Sequence, residues 1–164
     1  MDKPIEKLFA LYSEEIALKA RKCIVNKVWD IPEQMPYEVV EFKSLFKESL
    51  IYLRSKNCTV KDKQLFLEAI FRGELRILLH NIVDIKHLDV DKAEDVCQDI
   101  IISLFKRLLS DSENSEKIYQ KQKKELIFSG DDYKSFVFYC LKSIKNFGKN
   151  KFKTKIQYTI EEFK

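Results

Sequence analysis

The stretch YKSFVFYCLKSIKNFGKNKFKTK, residues 133–155, decides how the rest of this chain is interpreted. It contains seven lysines and no acidic residue. Apolar side chains recur in it every three or four residues, the spacing that places them on one side of an α-helix. These are Tyr133, Phe136, Val137, Cys140, Leu141, Ile144 and Phe147. The stretch is therefore predicted to form a helix with one buried apolar side and one basic side.

The basic side of this helix carries an aromatic ring among its cations. Its members are Phe138, Lys142, Lys145, Lys149 and Lys153. Because lysines neutralise phosphates while rings stack on bases, this combination is typical of a surface that holds a single nucleic-acid strand. The alternative is a solvated lysine face on an ordinary packed helix, since most charge runs are simply exposed surface.

The composition of the whole chain predicts an all-α fold. A chain of 164 residues with 45% apolar side chains can fill one sizeable core. Three glycines and three prolines leave little of the turn chemistry that closely spaced strands require. We therefore expect a compact helical bundle of about five to six helices.

Four further helices are predicted ahead of the basic one. The first begins at Pro4 and continues to about Val28, and the second covers about 39–53 after a proline-containing connector. The third covers about 61–85 with Thr59 as its N-cap, and its apolar residues occupy more than one side. This third helix is expected to lie at the centre of the core. Asp89 or Asp91 can cap the fourth helix.

The fourth helix has an apolar stripe and an outward polar stripe with one apolar member. The inward positions are Ala93, Val96, Cys97, Ile100, Ile101, Leu104, Phe105 and Leu108. The outward positions are Asp95, Gln98, Asp99, Ile102 and Lys106. An isoleucine among acids indicates a protein-contact surface, although single exposed apolar residues are also normal on ordinary surfaces. Residues 84–116 hold nine acidic against four basic groups, so this region favours a protein partner and the basic helix a nucleic acid.

Other chemistry is sparse in the sequence. The four cysteines, at 23, 58, 97 and 140, form no CxxC pair and are expected to be reduced thiols of a cytoplasmic protein. His80 and His87 lack neighbouring ligands at metal-site spacing, so both are expected to be structural. Without a glycine-rich phosphate loop or a nucleophile–base pair, we expect neither an enzyme nor a cofactor or metal site. No run of 18 apolar residues occurs, and no membrane association is expected.

Three motifs in the second half of the chain resemble domain two of bacterial sigma factors of the extracytoplasmic-function type. AEDVCQD at 93–99 resembles the family's Ala-Glu-Asp-x-x-Gln-acidic signature. SFVFYCLKSIKN at 135–146 resembles Ser-Phe-x-x-Trp-Leu-x-Arg-Ile-Ala-x-Asn, and FSGD at 128–131 is similar to Phe-Arg-Gly-Asp. The chain then divides into an N-terminal helical extension at 1–60, a sigma-like helical domain at 61–155 and a tail at 156–164.

The resemblance implies a sigma-like transcription initiation factor that binds RNA polymerase core and melted promoter DNA. It implies docking on the clamp helices of the polymerase largest subunit through Asp95, Gln98 and Asp99, with Ile102 on the same stripe. It also implies binding of the single-stranded non-template strand of the −10 region. The residues expected to bind that strand are Phe128, Phe138, Tyr139, Lys142, Lys145, Asn146 and Lys149, with Lys153 in the same lysine row.

The departures from the family leave alternatives open. Tyr139 replaces the family's tryptophan, and lysines, which are point charges, replace arginines and cannot supply their bidentate base contacts. The alternative function is a non-enzymatic adaptor or regulator that binds RNA polymerase or another protein without opening DNA. No counterpart of the family's −35-reading domain follows in this sequence, so a second DNA-targeting protein is expected to contact residues 4–54. The alternative is that these helices only shield an apolar side of residues 66–82.

Overall fold

The computed structural model describes residues 3–108 and 132–146, with side-chain environments at 3–103 and 132–146. All regular structure in these two ranges is helical. The α-helices are α1 Pro4–Leu11, α2 Glu14–Val25, α3 Tyr37–Leu53, α4 Val60–Lys86, α5 Val90–Leu108 and α6, which is described over residues 133–146. A short 3₁₀ helix, Pro32–Gln34, lies between α2 and α3. The predicted all-α bundle is confirmed.

The prediction of a single helix from Pro4 to Val28 is wrong, because the helix is interrupted between α1 and α2. Ser13 caps α2 by accepting a 3.2 Å hydrogen bond from the Ile16 amide. The guanidinium of Arg72, on α4, donates to the carbonyl oxygens of Phe9 and Tyr12 at the end of α1. These carbonyls would otherwise lack a helical partner. The apolar pattern continues through the break, so spacing alone did not reveal it.

Helix α4 is the centre of the bundle, as its sequence predicted. It begins at the predicted N-cap, where the Thr59 hydroxyl accepts from the Asp62 amide at 3.1 Å and the Asp62 carboxylate accepts from the Thr59 amide at 3.0 Å. This reciprocal pair is a capping box. The helix then packs against α1, α2, α3 and α5. It ends at Lys86, and its C-cap residue His87 has a left-handed φ of 53°.

One hydrophobic core joins the N-terminal helices to the later ones. The ring of Phe46, on α3, lies 5.7 Å from Phe66, 5.2 Å from Tyr133 and 5.6 Å from Phe136 between ring centroids. All four side chains are fully buried. Tyr12 adds an edge contact to the same cluster through Phe42, 4.8 Å away. Residues on both sides of position 60 therefore build the core together.

Helix α6 runs parallel to α4. The Tyr133 hydroxyl lies 2.6 Å from Oε1 of Glu74, and the Lys86 ammonium lies 2.8 Å from the carbonyl oxygen of Lys145. Both contacts join α4 to α6, and the same number of residues separates them along each helix. Since each residue adds 1.5 Å, the two helices stay in register for about 18 Å. This arrangement fixes which side of α6 faces outward.

Candidate functional site

The outward stripe of α5 is presented by a well-capped helix. Asp89, one of the two predicted caps, accepts a 2.9 Å hydrogen bond from the Lys92 amide. Ala93, Cys97, Ile100 and Ile101 are buried, as their spacing predicted. The helix is therefore held against the core by one side, and Asp95, Gln98 and Ile102 on its other side are exposed.

The residues predicted to dock on a protein partner lie mostly on that outer side. Asp95 and Gln98 are exposed, and Ile102 retains 49% of its accessible surface. Asp99 is half-buried and engaged in other interactions. Carboxylates beside an exposed apolar side chain suit a basic partner with an apolar contact point.

Helix α6 starts at a residue that is tied to the N-terminal segment. The carbonyl oxygen of Asp132 accepts from the Phe136 amide at 3.2 Å, which places Asp132 at the start of the helix. Its carboxylate accepts a 2.8 Å hydrogen bond from Nε1 of the buried Trp29. The Lys43 ammonium lies 4.9 Å from the Trp29 ring centroid and donates to the Trp29 carbonyl oxygen at 2.6 Å. The connector after α2 thereby holds the first turn of α6.

The apolar side of α6 is buried as predicted. Tyr133, Phe136, Val137, Cys140 and Ile144 are all buried. Leu141 is half-buried, and the predicted inward residue Phe147 lies outside the described residues. The buried side is continuous over the described part of α6, so the helix cannot rotate without exposing large apolar side chains.

The opposite side of α6 carries the predicted nucleic-acid residues. Phe138 retains 53% of its accessible surface, and Lys142, Lys145 and Asn146 are exposed. Tyr139 is half-buried and packs against the core, so only part of its ring is accessible. The predicted residues Phe128, Lys149 and Lys153 lie outside the part of the chain that the structure describes.

Two lysines not named in the sequence-based site adjoin this surface. The Lys134 ammonium lies 5.9 Å from the ring centroid of Phe138, within the range of a cation–π contact. Lys86 reaches the backbone of α6 from the last turn of α4. Lys134 is visible in the sequence as a neighbour of Phe138, whereas Lys86 is brought there only by the packing of α4 on α6.

A buried polar network lies beneath α6, and helical spacing alone does not predict it. The fully buried Glu74 accepts from the Tyr12 hydroxyl at 2.5 Å and from the Tyr133 hydroxyl at 2.6 Å through Oε1. Its other oxygen accepts from Arg21 at 2.8 Å. The available signal was the position of Glu74, because it lies in register with the buried Ile70, Ile77 and Leu78. The network links α2, α4 and α6 with the junction that follows α1.

The tyrosines of this network are held in the protonated form. Burial and the adjacent Glu74 carboxylate raise the pKa values of Tyr12 and Tyr133 well above the ordinary phenol value. Both hydroxyls therefore remain donors to the carboxylate at neutral pH. Together with the ion pair between Arg21 and Glu74, these hydrogen bonds connect the helices around the buried carboxylate.

Burial raises the pKa values of all four cysteine thiols in this arrangement. All four are free, and Cys23, Cys97 and Cys140 are buried while Cys58 is half-buried. Burial, with the nearby Glu94 carboxylate, raises the pKa of Cys97 to about 11. Burial also raises the pKa of Cys140. These thiols are protonated at neutral pH, and protonated thiols are poor nucleophiles.

Residues of the types that can bind metal ions lie apart from one another in the described ranges. His80 and His87 are both exposed. Within residues 3–108 and 132–146, no three His, Cys, Asp or Glu side chains are grouped to hold a metal ion. None of the described helices combines the length and apolar character needed to cross a membrane.

Comparisons of the chain with protein-family models, with curated proteins and with solved structures gave no match.

Proposed function

We propose that this protein is a sigma-like transcription initiation factor that binds RNA polymerase core through α5 and the melted −10 non-template strand through α6. The observation that carries the proposal is the pairing of two unlike outward faces on one core. The outer side of α5 presents Asp95, Gln98 and the half-exposed Ile102. The outer side of α6 presents Phe138 with Lys142 and Lys145.

The α5 face has the composition of a small protein-docking surface. Ile102 supplies an apolar contact, and the exposed Asp95 nearby on the helix supplies charge that selects a basic partner. Complementary charge sets the rate and specificity of association more than its final affinity. The motif at 93–99, which resembles the polymerase-docking signature of sigma factors, supports RNA polymerase core as that partner.

The α6 face has the composition of a single-strand surface. A half-exposed Phe138 offers a ring on which a base can stack, worth about 1–3 kcal/mol per base. Exposed Lys142 and Lys145 can neutralise neighbouring phosphates. Taking a base out of the duplex costs a few kcal/mol, so stacking on one ring together with phosphate contacts offsets this cost.

The test uses the full chain, RNA polymerase core and a forked promoter DNA whose −10 non-template strand is unpaired. The expected result is a ternary complex in which Phe138→Ala weakens DNA binding by about tenfold, the equivalent of 1.4 kcal/mol. Phe71→Ala is the matched control, because Phe71 is another half-exposed phenylalanine, at 41%, and lies on α4. Equal effects of the two substitutions would contradict the assignment of Phe138.

The adaptor function makes a different prediction in the same experiment. Polymerase would bind the chain, while the forked DNA would gain no contact with it and Phe138→Ala would change nothing. Failure to bind polymerase core would contradict the initiation factor and the polymerase-binding adaptor alike.

A further inference from the structure

The basic surface of α6 adjoins a lysine on the last turn of α4. Lys86 lies in that turn, and its ammonium lies 2.8 Å from the carbonyl oxygen of Lys145. Lys145 is an exposed member of the lysine row on α6. The parallel packing of α4 and α6 thus brings a cation from a distant part of the sequence to the side of this row.

The charge of Lys86 is not neutralised by its contact. A carbonyl oxygen is a neutral acceptor, and an ammonium has three N–H donors, so two remain for another acceptor. Among the residues that the structure describes, no carboxylate forms an ion pair with Lys86. Of the nearest acids along its own helix and turn, Asp84 is exposed two residues earlier, and Asp89 accepts from the Lys92 amide at the start of α5.

The neighbouring surface of α6 reinforces the positive potential. Residues 133–146 contain Lys134, Lys142 and Lys145 and no acidic residue. Cations from two helices side by side suit a polyanion, and a single strand places successive phosphates within reach of both.

We infer that Lys86 contacts a phosphate of the bound single strand, so that the strand crosses from α6 to the C-terminal end of α4. This inference rests on the proposed DNA-binding function of α6 and adds a contact that the lysine row alone does not include. The alternative is that Lys86 only fastens α4 to α6 through the Lys145 carbonyl.

Lys86→Gln separates these roles, because glutamine keeps an N–H donor for the carbonyl but removes the charge. Lys7→Gln is the matched control. Lys7 is an exposed lysine on α1, whose start is held at the opposite end of α4 by the 3.2 Å contact of Lys3 with Asp62. Both substitutions remove one positive charge from the full chain.

The measurement is the affinity for a fluorescent oligodeoxythymidine over a series of salt concentrations. Loss of one phosphate contact should reduce the slope of log K against log salt by about 0.7, which corresponds to about fivefold in affinity at 0.1 M salt. Lys86→Gln should show this change, while Lys7→Gln keeps the wild-type slope. Circular dichroism should show the same helix content in all three proteins.

The failures are distinguishable. If the wild-type chain binds the oligonucleotide and Lys86→Gln keeps the full slope, the inference is wrong and the proposed α6 surface remains. If Lys86→Gln and Lys7→Gln reduce the salt slope equally, the change reflects the general attraction between a positive protein and DNA. The inference is then also wrong. If the wild-type chain shows no salt-dependent binding, alone or with polymerase core, the DNA-binding proposal fails together with the inference.

Discussion

The hydroxyl of Tyr133 donates a 2.6 Å hydrogen bond to Oε1 of Glu74, and this contact joins the first turn of α6 to the buried side of α4. The same oxygen accepts from Tyr12, and Arg21 binds the other oxygen. A carboxylate in a protein interior requires such partners, because an unpaired buried charge is costly. The hydrogen bonds of the buried Glu74 therefore help to position α6, whose outer surface is proposed to bind nucleic acid.

Tyr133→Phe should destabilise the fold by about 1–3 kcal/mol, since it removes one donor from a buried carboxylate and keeps the ring. Urea unfolding followed by circular dichroism measures the change. Tyr37→Phe is the control, because Tyr37 is 82% exposed. It should change the free energy of unfolding by less than about 0.5 kcal/mol. If Tyr133→Phe and the wild type have the same free energy of unfolding, the hydrogen bond from Tyr133 to Glu74 makes no net contribution to stability.

Gly73→Ala should destabilise the protein, although alanine normally favours a helix by about 1 kcal/mol over glycine. A Cβ at position 73 would lie 2.3 Å from two atoms of the Tyr12 ring. That ring is fully buried, so relief requires shifts in the core that cost about 1–3 kcal/mol. In a Tyr12→Ala background the same substitution should become neutral or stabilising. An additive double-mutant cycle would contradict the steric explanation.

Asp62→Asn should destabilise the protein by about 1 kcal/mol at pH 7, because it weakens the capping box of α4. Burial opposes the charge of Asp62, but hydrogen bonds from Thr59 and Lys3 outweigh it and lower the pKa of the carboxyl. A lowered folded-state pKa contributes stability above the unfolded value of about 3.9, which is lost as pH falls through the folded value. The difference between Asp62→Asn and wild type should therefore shrink below about pH 4. Asp84→Asn, at an exposed site on the same helix, is the control for removal of one carboxylate.

Asp95→Lys combined with Gln98→Ala should abolish binding to RNA polymerase core while leaving the helix content unchanged. Both residues are exposed on α5, and a reversed charge would repel a basic docking surface. Glu48→Lys, at an exposed position on α3, is the control and should bind normally. Pull-down with purified core measures the effect. Wild-type retention by the α5 variant would rule out this face as the docking site.

A chain that begins at Asn57 should lose its cooperative thermal transition and aggregate. It would lack Tyr12 and Arg21, which bind Glu74, and Phe46, which packs on Phe66 and Tyr133. Calorimetry and light scattering measure the outcome. A folded truncated chain would show that the N-terminal helices are dispensable for the core, which would favour the hypothesis that residues 4–54 serve a partner.

Local properties of the bundle were accessible from the sequence. The spacing of apolar residues predicted α3, α4, α5 and the buried side of α6. Thr59 was predicted to cap α4, and Asp89 was one of two predicted caps for α5. The outward positions of Phe138, Lys142 and Lys145 followed from the same helical count. These features depend on neighbours within a few residues, which is the distance over which helix periodicity and capping act.

Relationships between distant residues were decided by the tertiary structure alone. The end of α1 is bound by Arg72, and the start of α6 is bound by Trp29. The buried Glu74 takes its hydrogen-bond partners from two other helices and from the α1–α2 junction. Lys86 likewise lies beside the surface of α6 only because α4 packs against α6. Helical periodicity determines which side of each helix is buried, but not which helix covers that side or in what direction and register. Those choices follow from the packing of the whole core, in which each side chain must fit neighbours far away in the sequence.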